Sequence, residues 1–156
     1  MAQTASDLSR DATAEIASAL NQAMSETVVA TMLAQNFHWN VKGMNFGSLH
    51  ALFQEIYEDH FAAQDDLAER IRAIGETVEG KLAGHLARSK VEEGNEHAPD
   101  HEMIRHLADA QQIVGATLSG VGEVAARHGD SRTEDLAVER GQTHDKFAWL
   151  LRSHLA

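Results

Sequence analysis

A single proline, Pro99, stands in a chain of 156 residues, and no other feature constrains the fold as much. Proline removes a backbone donor and clashes with the preceding turn, so long stretches without it are free to run on as helices. Residues that favour strands are scarce as well. Aromatics are 5% of the chain, while alanine, leucine and glutamate, all strong helix formers, dominate. An all-α protein is the consequence.

Hydrophobic spacing sets the helices. A first segment from about Asp11 to Val41 repeats Ile16, Leu20, Met24, Thr27, Thr31 and Ala34 at three- or four-residue intervals, and from Val28 to Phe37 it is apolar nearly all round. The turn KGMNFGS, Lys42 to Ser48, stops this helix with two glycines and an asparagine, and Ser48 is the expected N-cap of the next. A second helix is predicted over Ser48 to Ile74. Its stripe is Leu49, Leu52, Phe53, Ile56, Ala63, Leu67, Ile71 and Ile74, with Gly75 as the stop. Between Gly75 and Pro99 lies a connection rich in glycine and charge, with a short helix over Lys81 to Ser89. A third helix runs from Pro99 or Asp100 to about His128. The string SRTE supplies a capping box, Ser131 with Glu134, for a fourth that reaches the C-terminus. Four long helices with one long crossover, carrying a short extra helix, make a ferritin-like four-helix bundle the predicted architecture. It is expected as one domain over 11–156 behind a short tail, 1–10, since this length leaves no room for a second core.

Composition narrows the chemistry. The absence of cysteine excludes disulfides, thiolate zinc sites, iron–sulfur clusters and a cysteine nucleophile, so any metal is held by nitrogen and oxygen. No apolar run approaches the ~20 residues of a membrane span, and the first residues, MAQTASDLSRDATAEIA, lack a signal-peptide core. A soluble, cytoplasmic protein is expected. A formal charge of −11 repels nucleic acid and anionic lipid and attracts cations. Two motifs fail on inspection. GETVEGKL, Gly75 to Leu82, has leucine where a phosphate loop needs a hydroxyl, and HEMIRH, His101 to His106, spaces its histidines five apart, about 140° round a helix. The repeated Glu-x-x-His of bundle-core di-iron sites does not occur, which argues against a di-iron site within one subunit.

What remains is NFHWNVKGMNFGSLH followed by FAAQDDLAERIRAIG. His38 ends the first helix, His50 opens the second, and Asp65 and Glu69 lie one turn apart further along it. Two imidazoles and two carboxylates suit a first-row cation such as Fe(II), Mn(II) or Zn(II). On a helical projection His50, Asp65 and Glu69 share an arc nearly opposite the apolar stripe, and Tyr57 and Phe61 lie on or beside it, which predicts a second buried face. His50 and Asp65 are about 22 Å apart along a straight helix, too far to share a metal within one chain. Two copies packed antiparallel about a two-fold axis near Glu58 bring His50 of one copy to the acids of the other, twice.

HWNVKG, FGSLH and DDLAERIRAIG in this spacing, with HDKFAWLLR near the C-terminus, resemble the Dps family, the miniferritins or DNA-binding proteins from starved cells. The resemblance covers most of the chain. It implies a hollow homododecamer built from two-fold dimers, with a ferroxidase centre in which His38 and His50 come from one subunit and Asp65 and Glu69 from its neighbour. It implies Fe(II) oxidised preferentially by hydrogen peroxide and stored as ferric oxide, with iron as the metal and zinc or manganese as substitutes. Trp39 and Trp149 resemble family tryptophans near the centre. The start of the last helix would line a three-fold pore, which puts forward Asp130, Glu134 and Asp135, with Asp145 behind them. Glu55, Glu58 and Asp59 are candidates for a cavity face.

Family members that bind DNA usually use a lysine-rich tail, and here the pattern departs. Only Arg10 precedes the first helix, and the lysines are Lys42, Lys81, Lys90 and Lys146. DNA binding is therefore doubtful, and a DNA-compacting protein with a vestigial metal site is the alternative reading.

Overall fold

The computed structural model describes residues 7–156. Of the expected tail, residues 1–6 lie outside the described residues. Among those described, all regular structure is helical: α1 (Arg10–Asn40), α2 (Phe46–Ala73), α3 (Leu82–Arg88), α4 (Asp100–Arg127) and α5 (Ser131–Ser153). The hairpin α1–α2 packs on the hairpin α4–α5 chiefly through α1 against α4, and α3, in the crossover, lies against α1. This is the ferritin-like bundle that the sequence predicts.

The predicted stripe of α2 is buried throughout, Leu49, Phe53, Ile56 and Ile71 completely. Each such side chain contributes roughly 1.5–3 kcal/mol by leaving water. On α1, Ser9 accepts from the backbone N–H of Ala12 at 3.1 Å, an N-cap that starts the helix at Arg10. Gly75, at φ +93°, ends α2 in the left-handed region, as expected for a C-terminal glycine.

Two predicted caps are corrected. Ser48 is not an N-cap: α2 begins at Phe46, and the Ser48 hydroxyl donates to the carbonyl of Asn45 at 3.1 Å inside the first turn. Ser131 and Glu134 do not make the capping box of α5. Asp130, one residue earlier, caps it by accepting from the Thr133 N–H at 3.1 Å, because Arg70 of α2 also donates to that carboxylate at 2.9 Å and fixes it there.

Candidate metal centre

His38 sits in the last turn of α1 and His50 in the first turns of α2, so the short turn 41–45 brings them side by side. Their rings stack at 3.7 Å with 16° between planes. Nδ1 of His38 donates to the carbonyl of His50, and Nδ1 of His50 donates to the carbonyl of His38, each at 2.7 Å. A carbonyl can only accept, so both rings carry the proton on Nδ1 and keep a lone pair on Nε2. Such second-atom tethering orients a metal-binding imidazole and fixes its tautomer.

Aromatic rings enclose the pair. Phe46 stacks on His50 at 5.0 Å and Tyr57 meets His38 edge-on at 5.2 Å. Phe46 was hidden from sequence reading by the Ser48 cap assignment; its place one turn before His50 is the signal that could have found it. Gln54, one turn after His50, was also passed over. It presents an amide on the same side of α2 and donates to Glu58 at 2.8 Å.

Asp65 and Glu69 are exposed on α2, and no hydrogen bond or ion pair engages either among the described residues. The structure brings the histidines together and leaves Asp65 about 22 Å and Glu69 about 28 Å beyond His50 on the same helix, as its rise requires. Among the described residues no group of three or more His, Asp or Glu gathers in metal-binding geometry.

An apolar groove of about 690 Å³ opens where α1, α2 and α3 meet. Met32 and Trp39 of α1, Phe61 of α2, and Leu82 and Leu86 of α3 line it. All five are exposed, Phe61 at 71% and Leu82 at 79%, and they account for half of the ten exposed large hydrophobic side chains among the described residues. Concentration of that kind on one face marks an association surface.

The remaining candidates separate. Trp39 and Trp149 are exposed, and neither makes a ring contact with the histidines among the described residues. Glu134 and Asp135 are exposed on the first turn of α5, and Asp145 lies exposed further along it. Asp130 is 1% exposed, and its carboxylate is engaged by Arg70 and Thr133, so it is a cap and not a free pore acid. Burial alone would raise its pKa, but the Thr133 hydrogen bonds and the Arg70 guanidinium hold it below the usual carboxylate value. Glu55 and Glu58 are exposed, whereas Asp59 is bound by Arg140 at 2.8 and 3.1 Å and by His60 at 2.9 Å.

That pair belongs to a closed circuit in the bundle interior. His60 Nε2 and His144 Nδ1 converge on Gln111 Oε1 at 3.0 and 2.7 Å, and Arg140 faces His144 Nε2 at 3.4 Å. A metal-bound His144 would turn an N–H toward the guanidinium, donor against donor. The fixed cation of Arg140 makes this a structural network linking α2, α4 and α5.

Comparison with known proteins agrees with the fold. The sequence profile of the ferritin family, described as a ferritin-like domain, matches residues 17–156. A "DNA protection during starvation protein" of Brevibacillus brevis is 34% identical over 143 residues, 90% of this chain and 94% of that protein. "General stress protein 20U" of Bacillus subtilis is 29% identical over 90% of this chain and 97% of its own length. Among solved structures, Dps from Staphylococcus aureus superposes with a TM-score of 0.87 at 34% identity, covering 90% of this chain and 95% of the other. The Dps protein of Vibrio cholerae O1, described as one of the ferritin-like diiron-carboxylate proteins, gives 0.92 at 28% identity, covering 100% and 98%.

Proposed function

The chain belongs to the Dps branch of the ferritin-like family, and on that premise we propose that it is a ferroxidase miniferritin. It takes up Fe(II), oxidises it with hydrogen peroxide at centres shared between two subunits, and stores ferric oxide inside a cytoplasmic shell of twelve. The observation that carries this is the reciprocal tether of His38 and His50, which fixes both tautomers and leaves both Nε2 lone pairs for a cation.

The donors suit the reaction. Imidazoles of intermediate softness hold Fe(II), and the harder Fe(III) product is favoured by carboxylates. Two Fe(II) give one electron each to peroxide, its O–O bond breaks, and two hydroxides leave without a hydroxyl radical. Zinc or manganese would compete for the same donors.

The acids that complete the centre come from a second copy. Antiparallel apposition of α2 about an axis near Glu58 sets Asp65 and Glu69 of one subunit against the histidines of the other. It also covers the groove lined by Met32, Trp39, Phe61, Leu82 and Leu86. Glu134 and Asp135 are left to line a cation channel elsewhere on the shell.

Size-exclusion chromatography coupled to an anaerobic Fe(II)/peroxide assay tests the proposal. The protein is expected to elute well above monomer size and to oxidise Fe(II) rapidly, and His50→Ala or Glu69→Ala is expected to abolish the fast phase while leaving the elution volume unchanged. Oxidation at full rate by both variants would refute it.

A further inference from the structure

The short helix α3 is docked on the bundle by one side chain. Of its seven residues only His85 is buried, and it packs against α1. Its Nδ1 lies 2.9 Å from the Ser25 hydroxyl of α1, and the Arg88 guanidinium reaches the same oxygen at 2.5 Å. A guanidinium only donates, so the hydroxyl oxygen accepts from Arg88 and its own proton is the one that bonds Nδ1. The ring is thereby held as the neutral tautomer with its proton on Nε2, which no hydrogen bond engages among the described residues.

A second proton on this ring finds no counter-charge. On Nδ1 it would make the imidazole another donor at the Ser25 oxygen, and two cations would meet at a neutral group. On α1, the Glu26 carboxylate is already occupied by Thr117, Gln22 and the backbone N–H of Lys90. Ahead of α3, Glu79 is paired with Arg88, and Lys81 adds further positive charge. The α2 residues that line the groove, Phe61 and Gln64, are neutral, and Glu93 and Glu96 stand exposed on its rim. Burial accordingly holds the His85 pKa below its ordinary value.

We propose that His85 is an acid-sensitive latch: neutral, it holds α3 on α1, and protonated, it releases α3 and opens the face through which two copies join. The link to assembly lies on α3 itself. Leu82 and Leu86 wall the apolar groove that the second copy covers, so undocking α3 takes apolar surface out of that contact. This rests on the two-copy reading above. The docked ring binds its second proton more weakly than a free histidine, which titrates near ~6.5, so docking is complete above that pH and weakens below it. The docking equilibrium falls by at most about tenfold per pH unit per subunit.

Two readouts on the full chain between pH 7.5 and 5 test the latch. Size-exclusion chromatography with light scattering follows assembly, and hydrogen–deuterium exchange, corrected for the intrinsic rate at each pH, follows residues 82–88. Wild type is expected to lose mass as the pH falls and to regain it at pH 7.5, with exchange of α3 rising several-fold before that of α4. His85→Gln, whose amide oxygen can accept from Ser25 but takes no proton, is expected to stay assembled with α3 protected. Ser25→Asp supplies the missing counter-charge and should move the release of α3 to lower pH. Disassembly of His85→Gln at the wild-type pH, or wild-type exchange over 82–88 that stays flat across the range, overturns the proposal; the second result needs no variant to fold. A protein already monomeric at pH 7.5 refutes the two-copy reading instead, and α3 exchange then still decides whether His85 releases the helix.

Discussion

His144 is enclosed by a protein interior in which its Nδ1 donates to Gln111 and its Nε2 faces the Arg140 guanidinium. Burial, and then the electrostatic influence of His60 and of the Arg140 cation, push its pKa down to about 2. In the unfolded chain the same imidazole titrates near ~6.5. Between these values the unfolded state holds a proton that the native state does not, so stability is complete above pH ~6.5 and falls as pH drops below it. The expected slope is at most about 1.4 kcal/mol per pH unit for such a histidine. Urea unfolding from pH 7 to 5 should show the decline, and His144→Gln should reduce it without abolishing it, because burial lowers the pKa of His60 as well; equal slopes in the two proteins would count against a neutral His144. Asp59 behaves oppositely. Its burial favours the neutral acid, but His60 and Arg140 outweigh this and hold the carboxyl well below its usual value, so its contribution is lost only in strong acid. Sequence reading could count ten histidines but not sort them. His60 falls on the apolar stripe between Ile56 and Ala63, which was the available sign that it faces the core. Its partners Gln111 and His144 lie on helices whose rotation is set only by tertiary packing.

Helices were legible because each carries its own period and its own stop. The stripe of α2 and the glycine after it were readable without any partner. Caps were less so, since the string Asp130-Ser-Arg-Thr-Glu134 offers two registers, Asp130 to Thr133 and Ser131 to Glu134, and local propensity hardly separates them. Arg70, sixty residues away in sequence, decides. The crossover illustrates the same limit. Gly94 reads as a loop glycine, yet a Cβ there would lie 2.6 Å from Leu33 Cδ1 and from Phe37 Cε1 and Cζ. Asn36 holds the segment down by donating to the Gly94 carbonyl at 3.1 Å. Gly94→Ala should therefore overpack the contact between crossover and α1 and cost about 1–3 kcal/mol. A thermal melt unchanged from wild type would show that the crossover yields without loss.

At the scale of the whole molecule, charge and shape lead to separate expectations. Lys42, Lys81, Lys90 and Lys146 are all exposed but scattered, the first three in connections between helices and the last on α5, and the formal charge is −11. Few phosphates can be neutralised by such a surface, so duplex DNA mixed with the protein at ~0.15 M salt should migrate unretarded in a gel, whereas a shift that weakens steeply with salt would favour the DNA-compacting reading. Shape bears on the sharing of the centre. In the proposed dimer each centre takes histidines from one chain and acids from the other, so a pair formed from a His50→Ala chain and a Glu69→Ala chain has one centre carrying both lesions and one carrying neither. Random pairing of equal amounts makes half of all pairs mixed, and the co-assembled sample should recover about one quarter of wild-type oxidation although each variant alone has none. A centre built within one chain recovers nothing. The double variant His50→Ala/Glu69→Ala gives the converse result. Co-assembled with an equal amount of wild type it damages both centres of every mixed pair and leaves about one quarter of full activity, where self-contained centres would leave half.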